Sequence, residues 1–248
     1  RLIDGTITES RDSIEGSATD NIGVKSVNLT IQRDSDGSYW TGSSWQSTET
    51  NVSASASDGV FDSDEEAWNY STSSITEEDT YEVLATAIDI ADNKNGSATS
   101  YTIDTTAPTV SISDPADGAI VRSQGTIEGS VTDNVEVRSI NLTIQRESDG
   151  SYWNGSSWEA NETNVSASAS DGAFDSDEES WSYDSSDLDA DDTYNVTVTP
   201  IDAVGNTTNS STVRYTIYTP SSSSSGSSST DEPSVSLEEV SDGDVIAT

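Results

Sequence analysis

The chain has 248 residues and a formal net charge of −37, with 46 acidic residues against nine Lys and Arg, and it contains no Cys, His or Met. Without Cys and His it forms neither a disulfide nor a Ser-His-Asp or Cys-His catalytic group, and only carboxylates could bind zinc. We therefore expect no enzyme activity, and no nucleic-acid partner because so negative a chain repels the phosphate backbone.

Two copies of one sequence unit make up most of the chain. Residues 4–99 align without gaps on residues 117–212 at a constant offset of 113, which matches Trp40 to Trp153 and Trp68 to Trp181. Short strand signals at regular spacing, without helical periodicity, predict an all-β fold of two tandem sandwiches. The predicted domains are 1–106 and 107–219, followed by a Ser-rich linker at 220–231 and a separate strand at 232–248.

The strand signals follow the same order in both repeats. Residues 27–31 alternate apolar and polar side chains, which predicts a strand with Asn28 facing away from the core. The Asp-Gly pair at 36–37 predicts a hairpin turn, and residues 39–45 predict the next tight hairpin. Tyr81 follows an acidic loop at the predicted start of the sixth strand, where its hydroxyl would bond back to that loop as a tyrosine corner.

The first repeat lacks the strand that opens the second. Residues 108–112 alternate apolar and polar side chains ahead of the second repeat, and this sequence has no counterpart ahead of Asp4. A matching segment, residues 233–237, stands near the other end of the chain, and an Asp-Gly pair follows it at 242–243 as another does at 117–118. We predict a donor strand whose assembly residues are Val235, Leu237, Val245 and Ile246.

Three interpretations of this tail remain open from the sequence. The tail could complete the first repeat of a neighbouring subunit, begin a third repeat of a longer chain, or fold back onto its own first repeat. Fold-back requires the linker to span a whole domain at nearly full extension. We favour the first interpretation because it explains the missing strand, the matching segment and the long linker together, and because an incomplete sandwich exposes a groove and unpaired strand edges.

Two loops and a linker resemble those of a known group of proteins. Residues 87–93 and 200–206 resemble the A-x-D-x-x-G-N turn of bacterial and archaeal Ig-like repeats, and residues 101–108 resemble their inter-repeat linker. The resemblance implies two Ig-like β-sandwiches in a surface-exposed protein, since such repeats form stalks, adhesins, surface layers and filaments. The first repeat departs from the pattern in having Asp92 where the second has Gly205.

Asparagine indicates where the chain is found. Eleven of its fourteen Asn residues lie in Asn-x-Ser/Thr sequons, about twice the number that a Ser/Thr-rich chain would place there by chance. With the acidic composition, this predicts an extracellular, N-glycosylated protein of a halophilic archaeon, with no membrane span in this chain. The predicted glycosylation sites are Asn28, Asn51, Asn69, Asn95, Asn141, Asn154, Asn161, Asn164, Asn195, Asn206 and Asn209.

Acidic loops suggest one metal site, and two further acidic segments do not. In an Ig-like topology the loops holding Asp133, Asn134 and Asp202 meet the linker residue Asp104 at one end of the second repeat, facing the acidic residues 77–79 of the first. Calcium bound there would stiffen the domain junction; the alternative is a solvated acidic cluster. Residues 34–37 and 62–66 lack EF-hand spacing and are predicted to be solvated turns.

These features together predict a structural role. We expect the subunit of an extracellular filament or pilus, assembled head to tail with identical subunits by donor-strand complementation. The alternatives are an Ig-like stalk or adhesin segment of a longer cell-surface protein and the non-catalytic region of an extracellular enzyme.

Overall fold

The computed structural model describes residues 4–208 and 211–220, and within them every regular element is a β-strand. The strands of the first repeat are β1 (Thr6–Thr8), β2 (Ser13–Thr19), β3 (Val24–Arg33), β4 (Tyr39–Trp40), β5 (Trp45–Gln46), β6 (Val52–Ser53), β7 (Ser55–Ala56), β8 (Glu65–Ser71), β9 (Asp79–Asp89) and β10 (Lys94–Ile103). Those of the second repeat are β11 (Thr109–Asp114), β12 (Ile120–Val121), β13 (Thr126–Thr132), β14 (Val137–Arg146), β15 (Tyr152–Trp153), β16 (Trp158–Glu159), β17 (Val165–Ser166), β18 (Ser168–Ala169), β19 (Glu178–Asp184), β20 (Asp192–Asp202) and β21 (Ser211–Ile217).

The second repeat is a complete Ig-like sandwich. One sheet has the order β11-β13-β19-β18, and the other has the order β12-β21-β20-β14-β15-β16, with β17 also paired to β14. These correspond to the A-B-E-D and G-F-C sheets of the immunoglobulin fold, and β12 is a short second part of the opening strand that pairs in parallel with β21. The predicted all-β fold of two tandem Ig-like sandwiches is therefore confirmed.

The described part of the first repeat has the same fold without an opening strand. Its larger sheet has the order β1-β10-β9-β3-β4-β5, with β6 paired to β3, and matches the larger sheet of the second repeat. Its smaller sheet is only β2-β8-β7. Among the described residues nothing pairs with the outer edge of β2, whereas β11 pairs antiparallel with the equivalent edge of β13 from Thr109 to Asp114.

Alternation of side chains builds both cores. Along β3, Val27, Leu29 and Ile31 are buried and Asn28 faces outward, as the sequence pattern predicts. The hairpins predicted at 36–37 and 39–45 are present, joining β3 to β4 and β4 to β5. The tyrosine corner is present in both repeats: the hydroxyl of Tyr81 donates to the Glu77 carbonyl at 2.6 Å, and that of Tyr194 donates to the Ala190 carbonyl at 2.9 Å.

Aromatic rings link the small hairpin to the corner. Trp45 lies between Trp40 and Tyr81, with ring centroids 5.1 and 5.6 Å away, and Tyr101 continues the row at 5.1 Å from Tyr81. The guanidinium of Arg33 covers the outer face of Trp45 at 5.0 Å. The second repeat has the same row. These rings therefore extend the core beneath the hairpin.

The alignment of the repeats shifts by one residue near their ends. Strand pairing places Tyr101 opposite Tyr81 and Tyr215 opposite Tyr194, so the last strands correspond at an offset of 114. The gapless alignment through Thr99 is therefore wrong by one position in this strand: Thr99 faces Val83 as Val213 faces Val196. The second repeat has one extra residue in the loop between β20 and β21.

Both sandwiches belong to one compact unit that ends at Tyr218. Of the second unit, Thr219–Thr248, the structure describes only Thr219 and Pro220. The predicted donor strand and its assembly residues Val235, Leu237, Val245 and Ile246 lie outside the described residues.

Candidate functional site

A groove runs along the first sandwich where the second has its opening strand. In the second repeat, Val110 and Ile112 of β11 pack onto the core, and β11 contacts both β20 and β21. The same space in the first repeat is a groove with a volume of about 1020 Å³ between β2 and β10, with β9 as its floor. Its apolar lining includes Ile14, Ala18, Val83, Ala85, Ala87 and Ala98.

Side chains on the floor of the groove are smaller than their equivalents under β11. Val198 and Pro200 of β20 are buried, whereas their counterparts Ala85 and Ala87 are half-buried. No described strand covers this floor, and Ala in place of Val and Pro deepens it. The groove is thus wide enough for the side chains of an added strand, and its apolar floor is the kind of surface that such a strand covers.

A glycine marks the point where the opening strand passes closest to its neighbour. A Cβ atom at Gly129 of β13 would lie 1.9 Å from the carbonyl oxygen of Ser111, so the residue must be glycine for β11 to pair there. Gly16 occupies the same position in β2, where the nearest atoms to such a Cβ all belong to Trp68. Packing of Trp68 therefore already requires glycine at this position of the first repeat, and no described residue pairs with the outer edge of β2 there.

A buried guanidinium nitrogen of the first repeat has no hydrogen-bond partner among the described residues. In the second repeat the Gln124 side chain donates to the Asp114 carboxylate of β11 at 2.5 Å. Arg11 replaces Gln124 in the first repeat, and its buried Nε has no hydrogen-bond partner among the described residues. The guanidinium lies 5.5 Å above the ring of Tyr101. A carboxylate at the position of Asp114 in an added strand would pair with it.

A second site lies at the junction of the repeats, where three predicted metal ligands come together. Asp104 follows β10, Asp133 follows β13 and Asp202 ends β20, and one carboxylate oxygen of each lies within 4.8 Å of the other two. Asp104 and Asp202 are fully buried. The fold thus brings together the carboxylates of three segments that the sequence predicted to meet.

One oxygen of each carboxylate closes its own loop. Asp202 Oδ1 accepts hydrogen bonds from the backbone N–H groups of residues 204–206, at 2.6 to 2.9 Å. Asp133 Oδ1 accepts from the N–H groups of residues 135 and 136, and Asp104 Oδ1 accepts from Thr106 N–H. The second oxygens, Oδ2 of all three residues, are buried without a hydrogen-bond partner among the described residues. Such atoms are costly unless something compensates their charge.

Electrostatics agree with this geometry. Burial and, to a smaller extent, the neighbouring carboxylates of Asp133, Asp202 and Glu78 together raise the pKa of Asp104 to about 6, against a lowering hydrogen bond from the Thr106 N–H group. Burial and the nearby like charges therefore disfavour ionisation of Asp104.

Residues from the two repeats meet beside this cluster. The side-chain amide of Asn134 donates to Glu78 Oε1, and Glu78 Oε2 accepts from the hydroxyls of Thr105 and Thr106 at 3.0 and 2.8 Å. Asn134, predicted as a ligand, thus contacts the acidic loop of the first repeat that the sequence placed opposite it. The side-chain nitrogen of Asn134 makes that hydrogen bond, whereas the atom that could bind a metal ion is its Oδ1.

Of the two predicted solvated turns, residues 34–36 are exposed as predicted, whereas the turn at residues 62–66 is partly buried. Glu66 is 2% exposed and accepts hydrogen bonds from the backbone N–H groups of Asp62 and Ser63, so its carboxylate closes the loop at residues 62–66. The equivalent Glu179 lies with Asp171 and Asp175 in a second acidic group. The sequence did not indicate that group, because its three members come from a loop and a strand whose mutual distance depends on the fold.

The described sequon residues are all accessible. Asn28, Asn69, Asn141, Asn195 and Asn206 are half-buried, and the others are exposed: Asn51, Asn95, Asn154, Asn161 and Asn164. Asn209 lies outside the described residues. Two positions would conflict with other features, because Asn95 lines the groove and the amide of Asn206 points at the Asp104 carbonyl, 3.5 Å away.

No protein-family model and no curated protein sequence matches this chain. Among solved structures it is similar to a tetra-tandem repeat in the extending region of a large adhesion protein, with 20% identity and a TM-score of 0.35 over 85% of this chain and 46% of that chain. It is also similar to dimeric latent PorU from Porphyromonas gingivalis, with 11% identity and a TM-score of 0.30 over 88% of this chain and 19% of that chain.

A third similar structure is SGBP-B from a Bacteroides ovatus mixed-linkage glucan utilization locus, in complex with a mixed-linkage heptasaccharide. It has 13% identity and a TM-score of 0.21 over 86% of this chain and 42% of that chain. The chain thus spans less than half of each of these three proteins. Within the described residues, no helix is long and apolar enough to cross a membrane. At such low TM-scores the likenesses support no functional argument, and the Ig-like assignment depends on the strand order of the chain itself.

Proposed function

We propose that the chain is a structural subunit of an extracellular filament, assembled when the tail of one copy adds a strand to the groove of the next. The observation that supports this most is the open groove beside β2, which has the position and shape of the space that β11 fills in the second repeat. Strand addition supplies main-chain hydrogen bonds along β2, and apolar side chains set the register.

The tail sequence has the register that this groove requires. Residues 233–241 match residues 108–116 without a gap, so Val235 stands for Val110 and Leu237 for Ile112. In the second repeat Ile112 faces Gly129 and Val110 faces Val131. Leu237 would accordingly face Gly16 in the neighbouring subunit, with its longer side chain over the Ala-lined floor.

Charge supports the same register. The position of Asp114 corresponds to Glu239 of the tail, and Gln124, which binds Asp114, corresponds to Arg11. The added strand would thus bring a carboxylate to a guanidinium whose Nε otherwise has no hydrogen-bond partner among the described residues.

Two predicted assembly residues do not fit this role. By the same alignment Val245 and Ile246 correspond to Ile120 and Val121, which form β12 beside β21. In the first repeat β1 already occupies the equivalent place beside β10. The groove therefore offers no place to these two side chains, and we assign assembly to Val235 and Leu237.

Aspartate substitutions in the tail test the proposal. Val235→Asp or Leu237→Asp should abolish filaments, because each places a charge on the apolar floor, while the second repeat stays folded. Ser234→Asp is the matched control: its counterpart Thr109 is exposed, so this variant should still polymerise. Electron microscopy in molar KCl, which screens the charge of −37, is the measurement.

The outcomes separate the proposal from its main alternative. Filaments of the native chain and of Ser234→Asp, but not of the other two variants, would support strand addition. Filaments that survive both apolar-to-Asp changes would contradict it. If the native chain stays dispersed, the proposal fails and a stalk or adhesin segment of a longer surface protein replaces it.

We infer an extracellular, high-salt location for the assembly. Four ion pairs are present among the described residues, each joining an Arg or Lys to one carboxylate, and most acidic side chains therefore have no cationic partner there. Sequon residues lie at accessible positions of both sandwiches, as N-linked glycans require. In dilute buffer, self-repulsion should weaken the filaments that form in molar KCl.

A further inference from the structure

We propose that the three carboxylates at the junction of the repeats bind one calcium ion. The site consists of Asp104, Asp133 and Asp202, and one carboxylate oxygen of each lies within 4.8 Å of the other two. The Oδ2 atom of each residue has no hydrogen-bond partner among the described residues. This inference is independent of strand donation, because all three residues lie within the compact unit that ends at Tyr218.

The hydrogen bonding of the cluster indicates a cation. In each carboxylate one oxygen is satisfied by backbone N–H groups and the other is buried without a hydrogen-bond partner among the described residues. Asp104 and Asp202 are 0% exposed, so water cannot solvate their free oxygens as it does at the surface. Two fully buried carboxylates with unpartnered oxygens beside a third carboxylate stay ionised only if a positive charge lies between them, and otherwise they take up a proton.

The donor set selects the kind of cation. All ligand atoms are oxygens, and the cluster contains neither imidazole nor thiolate, since the chain has no His or Cys. Hard divalent cations prefer such ligands, and calcium takes six to eight of them at flexible angles. Backbone carbonyls of the converging loops and water would complete the shell around three carboxylates.

The first repeat is an internal comparison. Asp89 is the counterpart of Asp202, and there the amide of Asn93 donates to Asp89 Oδ2 at 2.7 Å. In the second repeat the equivalent amide, that of Asn206, is turned to the Asp104 carbonyl, and Asp202 Oδ2 is left without a partner. The repeats thus differ where the third carboxylate, Asp104, enters from the linker.

A cation here would act on the connection between the domains. Asp104 belongs to the linker, whereas Asp133 and Asp202 belong to the second sandwich, so the ion would fix the linker to the sandwich that follows it. The neighbouring contact of Asn134 with Glu78 extends this connection to the first repeat. Calcium would therefore set the relative freedom of the two sandwiches.

Calcium titration of the full chain tests the site. Isothermal titration with CaCl2 should give one site per chain, and about 10 mM CaCl2 should raise the midpoint of thermal unfolding by roughly 3–10 °C over the EDTA-treated chain. Asp202→Asn keeps the Oδ1 acceptor of the loop and removes the charge of Oδ2, so it should abolish the calcium-dependent rise.

Two further variants make the test decisive. Asp104→Asn should also lose calcium binding and, in EDTA, unfold at a higher temperature than the native chain because one buried charge is gone. Asp89→Asn, the counterpart of Asp202→Asn in the first repeat, should bind calcium as the native chain does. The proposal is overturned if calcium leaves the native midpoint unchanged, or if it raises the midpoints of the native chain, Asp104→Asn and Asp202→Asn equally.

Discussion

Placing residues 233–241 directly before Asp4, in a chain that ends at Thr230, should give a monomer whose first sandwich is about 2–5 kcal/mol more stable than without the added segment. The spacing allows this fusion, because the added segment ends at the position that precedes the Asp-Gly pair in both the tail and the second repeat. The gain comes from burial of Val235 and Leu237 and from main-chain bonds to β2, less the entropy of ordering the segment.

Denaturant unfolding and light scattering measure both parts of this expectation. The same fusion with Val235→Asp and Leu237→Asp is the control, since it has the same length without the apolar side chains. The fused chain should also fail to polymerise, because its groove is filled and its tail is gone. An unchanged unfolding midpoint would contradict the assignment of the groove to this segment.

Reversing the charge of Arg11 or of Glu239 alone should weaken polymerisation, and reversing both together should restore it. Arg11→Glu would bring two carboxylates together at the end of the groove and should raise the concentration needed for filaments by about tenfold or more. Glu239→Arg should do the same by opposing two cations. The double variant restores an opposite pair in reversed order.

Sedimentation of filaments over a range of protein concentrations gives this measurement. Glu238→Arg combined with Arg11→Glu is the matched control, because Glu238 corresponds to Ser113, whose side chain bonds to the Glu128 carbonyl and not to Gln124. That combination should not restore filaments. If the native chain forms filaments and Arg11→Glu polymerises equally well, the strand is added in another register. If the double variant Arg11→Glu, Glu239→Arg forms no filaments, Arg11 and Glu239 do not form an ion pair in the assembly.

Local patterns gave the fold from sequence. The alternation at residues 27–31 predicted β3, the Asp-Gly pairs predicted the hairpins, and the position of Tyr81 after an acidic loop predicted the corner hydrogen bond. Each of these depends on neighbouring residues and on the period of a strand. The missing strand could be predicted as well, because the second repeat provides a template within the same chain.

Features that depend on how closely distant residues pack and on which of their atoms are buried were not predictable. The first repeat has Ala85 where the second has Val198, and only the fold shows that this small difference deepens a groove. The sequence does not show that Arg11 Nε lacks a hydrogen-bond partner, or that the equivalent Gln124 in the second repeat binds Asp114 of the opening strand. Convergence of Asp104 with Asp202 could be predicted from topology, but the burial of their second oxygens could not.

Cross-linking tests the central claim, that the tail of one copy pairs with β2 of another. Ser111 and Ser130 face each other across β11 and β13, with hydroxyl oxygens 2.9 Å apart. Their counterparts are Ser236 and Ser17, and the chain has no Cys of its own. Under oxidation, a chain with Ser17→Cys and Ser236→Cys should therefore form a ladder of covalent oligomers on non-reducing gels.

The matched control uses the second repeat. A chain with Ser130→Cys and Ser236→Cys should give no ladder, because Ser111 already occupies the place opposite Ser130. A ladder from the first chain alone is the result that strand addition between subunits predicts. A cross-link confined to monomers would show fold-back instead, and equal or absent ladders from the two chains would contradict the proposed assembly.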